Sequence, residues 1–497
     1  MKVKKDSINF FYYLNWKNLS NEIQSYGYVL TLPKALLWYV GFLGVLAIIA
    51  WLFGMKLPFY CVSAVICMFF LPGIILRTYK KMYNERRFSD VTMYMQQLMD
   101  SFKNFKKVSK ALEDTASIFP DGPMANTIQR AKEVLLSDVS GNPERVAFAV
   151  IENEYPCEKL SLMHNFLIRA ENIGGDFSDG IDILQRDRSH WVEHIKTQQS
   201  LRKSTKRNVV ISMIMCAAVI VMAERYVDRI FPVTENLISQ ITTVILIFCD
   251  LFLYSRADKK LTVEWIKGEY KNDEQTQKDY DYVVNFNPKK YIKPILLEML
   301  IPIGLVTLAV VFHFSYFLIG LLLVPYYIAL PFWNYNSKKR ALKREIDVQF
   351  SSWLMQIGLE LQTKPVQPSI QSSLEYAPVV LKPEIELLLK RLNENPTASQ
   401  PYIDFMKDFY SPDISQSMRS LYSISAGAGG NIKERIRDIV MISMEHLNKT
   451  QKKLSQELAA MDEFFLIVIS SVPLAGKIGI DVIVATLQYV GDYISNY

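Results

Sequence analysis

Two hydrophobic patterns alternate along this chain. One is the unbroken apolar run, at residues 36–53, 58–76, 209–223, 237–254, 294–312 and 316–332 and in a last stretch from Phe464. Runs of this kind are about long enough to cross a ~30 Å hydrocarbon core as helices. The other is helical spacing inside polar sequence. Val91, Tyr94, Met95, Leu98, Met99 and Phe102 form one amphipathic face; Phe177, Ile181 and Leu184 form another, and Ile432, Ile436 and Ile439 a third. Strand signals are few. The pattern predicts an all-α, polytopic membrane protein with about seven transmembrane helices and two polar helical bundles.

The plan occurs twice. Residues 163–184, MHNFLIRAENIGGDFSDGIDIL, and 418–439, MRSLYSISAGAGGNIKERIRDI, superpose at an offset of 255 positions. The offset carries Met163 to Met418, Phe166 to Leu421 and Ile181 to Ile436. Each copy centres on a turn, Gly174-Gly175-Asp176 or Gly429-Gly430-Asn431. Two glycines can end a helix in a left-handed conformation, and Asp176 or Asn431 can cap the next one. Glu434 adds a capping-box position, with Asp179 its equivalent. A glycine-rich helix start can also hold a phosphate. The acidic and amide oxygens here cap the helix and repel an anion, so the turn reads as structural.

The expected divisions are a cytoplasmic segment (1–33), a transmembrane hairpin (34–76), a first cytoplasmic unit (77–207) and two spans (208–254). A cytoplasmic linker (255–293), a second hairpin (294–333), a second unit (334–461) and a final span (462–497) follow. Basic clusters fall on one side throughout: Arg77 to Arg87, Arg202 to Arg207, Arg256 to Lys260, Lys338 to Arg344 and Lys449 to Lys453. The positive-inside rule makes that side cytoplasmic, with the amino end inside. Under the offset the second unit stops before a counterpart to the run at 237–254. No removable signal peptide is expected.

Composition narrows the chemistry. The 497 residues are half hydrophobic and about a fifth charged, with a net charge of +6. That balance is no nucleic-acid footprint. Cys61, Cys67, Cys216 and Cys249 lie in apolar runs, and no CxxC spacing occurs, which speaks against a disulfide framework or structural zinc. His190, Glu193 and His194 fit an H-x-x-E-H zinc pattern. No third ligand follows, and the second unit has Glu445 and Lys449 at the matching positions. A solvated helix face is the preferred reading. Gly476-Lys477 resembles the end of a phosphate loop but sits in an apolar stretch. Glu298, Asp250 and Lys477 read as charges near membrane surfaces, with Lys477 near the outer one, rather than as a proton relay. No catalytic, cofactor or metal site is therefore expected. Lys103, Lys106, Lys107 and Lys110 mark an exposed turn open to partner contact or plain solvation.

The repeated polar unit resembles the type II secretion F-protein family, the membrane platforms of secretion systems and type IV pili. A helical hairpin opens each copy (93–112, then 352–370); the Gly-Gly turn and a long polar helix running into a span complete it. The spans preceding each unit are most similar to tight-adherence or archaeal platforms, here with two units in one chain. The usual glycine-containing hairpin turn is replaced by Asn104, Phe105, Lys106 and Lys107. The resemblance implies a non-enzymatic platform in the cytoplasmic (inner) membrane. Its implied partners are a hexameric cytoplasmic ATPase, pilins or pseudopilins, membrane lipids and further copies of itself. The rival reading is a secondary transporter or channel, since internal repeats occur there too. A membrane-bound hydrolase would rest on His190, Glu193 and His194 alone.

Overall fold

The computed structural model describes residues 10–137, 142–174, 177–230, 232–262, 265, 273–287, 320–362, 364–409, 411–427 and 432–495. Within them every regular element is a helix. The first half comprises α1 (Trp16–Ser25), α2 (Leu32–Leu52), α3 (Leu57–Phe105), α4 (Val108–Ile118), α5 (Pro123–Ser137), α6 (Pro143–Glu154), α7 (Glu158–Ile173), α8 (Ser178–Val227) and α9 (Leu237–Leu261). The second comprises α10 (Asp273–Val284), α11 (Gly320–Glu360), α12 (Val366–Ser373), α13 (Lys382–Glu394), α14 (Gln400–Ile403), α15 (Pro412–Ser425) and α16 (Ile432–Ser495). Local chemistry sets many starts. Proline occupies the first turn of α2, α3, α6, α13, α14 and α15, where its missing N–H costs nothing. Asn15 and Asn236 cap α1 and α9 through side-chain oxygens that accept from Lys17 and Ile238.

Among the described residues five helices are long and apolar enough to cross a membrane: Leu32–Leu52, Leu57–Phe105, Ser178–Val227, Leu237–Lys259 and Ser471–Gly491. They are consistent with a multi-pass membrane protein. The expected span at 294–312 lies outside the described residues, and of the one at 316–332 only the part inside α11 is described. The carboxyl-terminal stretch is one continuous helix rather than a hairpin, since α16 runs 64 residues, roughly 96 Å.

The first bundle closes around α3. Val91, Met95, Leu98, Met99 and Phe102 bury against Leu112 of α4, Ile128 of α5, Phe148 of α6, Met163 of α7 and Ile181 of α8. In the second, Ile346, Phe350, Trp353, Leu354 and Ile357 of α11 bury against Ile370 of α12, Leu388 of α13, Tyr402 of α14, Met418 of α15 and Ile436 of α16. The five α3 residues and the five α11 residues are related in turn by the 255 offset, and all ten are buried. The repeat is thus a repeat of core register, not only of a turn motif.

Two segments read as tails or linkers are structured. Leu19 and Ile23 of α1 bury against Leu71 and Ile75 of α3. Within 255–293, α9 continues to Leu261 and α10 lays Val283 against the second core. Under the same offset α1 overlaps α10. Tyr26 stacks on Tyr83 in the first half, and Lys338, the equivalent of Tyr83, sits 4.4 Å above the Tyr282 ring in the second.

Candidate functional site

The helices that carry each bundle onward, α8 and α16, lie side by side. Arg437 donates to Asp179 (3.3 Å), Asn448 to His190 Nδ1 (3.0 Å) and to Glu193 (3.4 Å), and Lys452 to Glu193 (3.3 Å). Further along, Gln198 donates to Ser455 Oγ (2.9 Å) and Asn208 to Glu463 (2.8 Å). Both sequences rise together, so the helices are parallel. The residues in contact are 255 to 259 positions apart, close to the repeat offset, and Glu193–Asn448 and Asn208–Glu463 match it outright. Equivalent positions on parallel helices meet only about an axis between them, so the two halves pair as a pseudo-twofold dimer within one chain. Contacts like these, exposed or half-buried, are each worth on the order of 1 kcal/mol or less. Their content is register.

Apolar packing backs the pairing. Met355 and Leu359 of α11 and Val440 and Met444 of α16 join the core of the first bundle. Within the second half, Gly358 of α11 lies so close to Val440 of α16 that a Cβ at this position would collide with it. Arg169 of α7 is ion-paired with Glu360 at the end of α11. Burial opposes charge on Glu360, but hydrogen bonds from Arg169 and Lys364 outweigh it and hold the carboxyl below its usual range.

Two charge clusters sit at opposite ends of the apolar part of α8, the first buried at Arg77 and Asp258 with Lys206 half-buried, the second buried throughout. At the basic end, Arg77 Nε of α3 and Lys206 Nζ of α8 each lie 2.6 Å from Asp258 of α9, and Arg77 also donates to Ser255 (3.0 Å). At the other end Lys477 of α16 lies 2.8 Å from Glu224 of α8 and 2.8 Å from Asp481, and donates to Ser239 Oγ of α9 (2.7 Å). Glu224 and Lys206 are 18 positions apart on one helix, roughly 27 Å. One cluster has two cations about a carboxylate; the other has one cation between two carboxylates.

Of the turn residues, Gly175, Asp176, Gly429, Gly430 and Asn431 lie outside the described residues. Gly174 ends α7 with φ +69°, its N–H bonded to Ala170 O (3.1 Å), a conformation L-side chains rarely adopt. In the second copy Gly427, ahead of the pair, also has φ +69°. Asp179 and Glu434, read as capping residues, both approach Arg437.

Lys106, Lys107 and Lys110 are exposed at the α3–α4 turn, with Lys106 itself left-handed (φ +51°). Lys103 differs: it pairs with Asp182 (2.9 Å) and ties α3 to α8. The His190–Glu193–His194 segment is not a plain solvated face, because His190 and Glu193 meet Asn448 of α16. Among the described residues no group of three or more His, Cys, Asp or Glu is placed to hold a metal ion. Glu298 lies outside the described residues.

Lys477 is the largest departure from the sequence reading. It is 2% exposed and committed to carboxylates, so it neither lies free near a surface nor completes a phosphate loop. The repeat misled here, because its equivalent, Met222, is exposed. The available signal was the Lys477–Asp481 i,i+4 pair inside an apolar run. No family model matches the chain, and no curated protein or solved structure is significantly similar to it.

Proposed function

We propose that this chain is a non-enzymatic assembly platform of a type IV-like pilus or type II secretion apparatus in the cytoplasmic (inner) membrane. Both bundles and the amino end face the cytoplasm, and the second hairpin brings the spans to seven. A hexameric ATPase acts on the bundles, and pilins or pseudopilins are handled among the spans. The observation that carries the reading is the in-register pair α8–α16. Each member is a single helix that begins in a bundle and ends in the apolar part, so movement of a bundle is carried along it to the membrane. Two units in one chain supply the pairing that single-unit proteins would need a dimer to achieve. The turn at Lys106, Lys107 and Lys110 is the proposed ATPase contact.

Purification from a mild detergent tests the platform. Recovery of a hexameric ATPase with the full chain, reduced when Lys106, Lys107 and Lys110 are changed to Glu, is the expected result. Filament assembly that persists after deletion of residues 338–460 would sink the reading. The Lys477 cluster favours a second reading, an ion-coupled transporter. Solute uptake driven by a pH gradient in reconstituted vesicles is the result that reading requires.

A further inference from the structure

We propose that Glu224, Asp481 and Lys477 form a proton-binding site within the apolar region, and that the site joins the first repeat to the second. Three helices build it. α8 supplies Glu224, α9 supplies Ser239, and α16 supplies Lys477 and Asp481, four residues apart on one face. Glu224, Lys477 and Asp481 are all at least nine-tenths buried. Lys477 Nζ has Glu224 Oε1 and both Asp481 oxygens at 2.8 Å, Ser239 Oγ at 2.7 Å and the Ser239 carbonyl at 3.2 Å. The ammonium fills the place a free cation would take, so the remaining ligand is not a metal ion.

The charges do not balance. One ammonium faces two carboxylates, which leaves one net negative charge away from water if both are ionised. An unpaired charge at such a site costs several kcal/mol after relaxation, and protonation removes it. Glu224 Oε2 is buried with no hydrogen-bond partner among the described residues. That orphan oxygen is the seat for the proton, and Asp481, on the same ammonium, shares it as one coupled pair.

Among the described residues no second cation reaches the two carboxylates. α9 presents Ser239, Gln240 and Thr243, all uncharged. The short turn Val233–Glu235 turns its Glu235 carbonyl to Lys56, whose ammonium is thereby engaged at the rim (3.0 Å). Asp228 accepts from Thr234, and Arg225 reaches the Leu52 carbonyl. The proton is thus what lets α16 sit against α8 and α9. The joint weakens when the proton leaves.

The site is independent of the platform reading, and its test is spectroscopic. Infrared difference spectra of the full-length chain in lipid nanodiscs at neutral pH would compare wild type with Glu224→Gln and with Asp481→Asn. Each substitution leaves one carboxylate on one ammonium, so each is expected to abolish one protonated-carboxyl stretching band, sensitive to deuterium exchange. A protonated-carboxyl band that survives in either variant, or a loss confined to the ionised carboxylate bands, overturns the proposal.

Discussion

The two bundles share a template and differ in what fills it. In the first, His164 of α7 is fully buried, stacked on Phe148 at 3.8 Å between centroids. Its Nδ1–H donates to Glu152 (2.9 Å), which a carboxylate requires, and Nε2 then accepts from Tyr94 Oη (3.0 Å). Arg145 closes the network with two 2.9 Å bonds to Glu152. In the second bundle the offset replaces His164 by the exposed Arg419 and Tyr94 by Gln349. The centre is aromatic instead: Trp353, where the first bundle has Leu98, stacks on Phe405 at 5.6 Å and donates Nε1–H to Ser373 (2.8 Å). The buried face keeps its register in both bundles, while the groups at its centre differ: a polar network in one, stacked aromatics in the other.

The largest expected effect is at the aromatic centre. Trp353→Ala should cost the second bundle about 3–5 kcal/mol, as large-to-small changes of buried aromatics do. Hydrogen exchange by mass spectrometry should place the loss in α11 to α15 and leave α4 to α7 protected. In the first bundle, Tyr94→Phe leaves His164 Nε2 buried without a donor and should cost about 1–3 kcal/mol. At the equivalent position, Gln349 Oε1 is buried without a partner among the described residues. Thermal melting should show Tyr94→Phe destabilising and Gln349→Leu neutral or stabilising.

Acid should separate the bundles next. Burial keeps the His164 imidazole below its ordinary value of 6.5 despite the neighbouring Glu152. As pH falls below that value the unfolded chain takes up a proton that the folded bundle refuses, and stability drops. Burial opposes ionisation of Glu152, but hydrogen bonds from His164 and Arg145 prevail and hold it at about 2, against an ordinary 4.5. Its contribution is present above 4.5 and is lost as pH falls towards 2. Hydrogen exchange at pH 7 and pH 5 should show α6 and α7 opening first, with α13 and α15 unchanged. The smallest effect is at the outer contact: Tyr282→Leu removes the ring beneath Lys338 while leaving the Lys338–Asp279 ion pair (3.0 Å) in place, about 0.5–1 kcal/mol.

Much of this was legible in the chain. Helical spacing at Val91 to Phe102 located the first core face, and the 255 offset carried it to the second. Apolar runs marked helices α2, α3, α8, α9 and α16. What the sequence withheld depends on which helices become neighbours. Glu193 looks solvated until Asn448 stands opposite it. Glu224 and Lys477 are 253 positions apart, so no local pattern joins them. Asp179 and Glu434 fit a capping pattern, yet Arg437, which Asp179 reaches only across the pair, is what they approach. The α10 helix was hidden by its charge, because only one side of it, around Val283, meets the core.

Thiol crosslinking across α8 and α16 tests the pairing most directly. In a cysteine-free background, cysteines at Glu193 with Asn448, and at Asn208 with Glu463, should each join through a short thiol crosslinker within a single chain, while Glu193 with Glu463 should not. Equal crosslinking of the mismatched pair, or joining of the matched pairs only between separate chains, would contradict an in-register pairing of the two repeats.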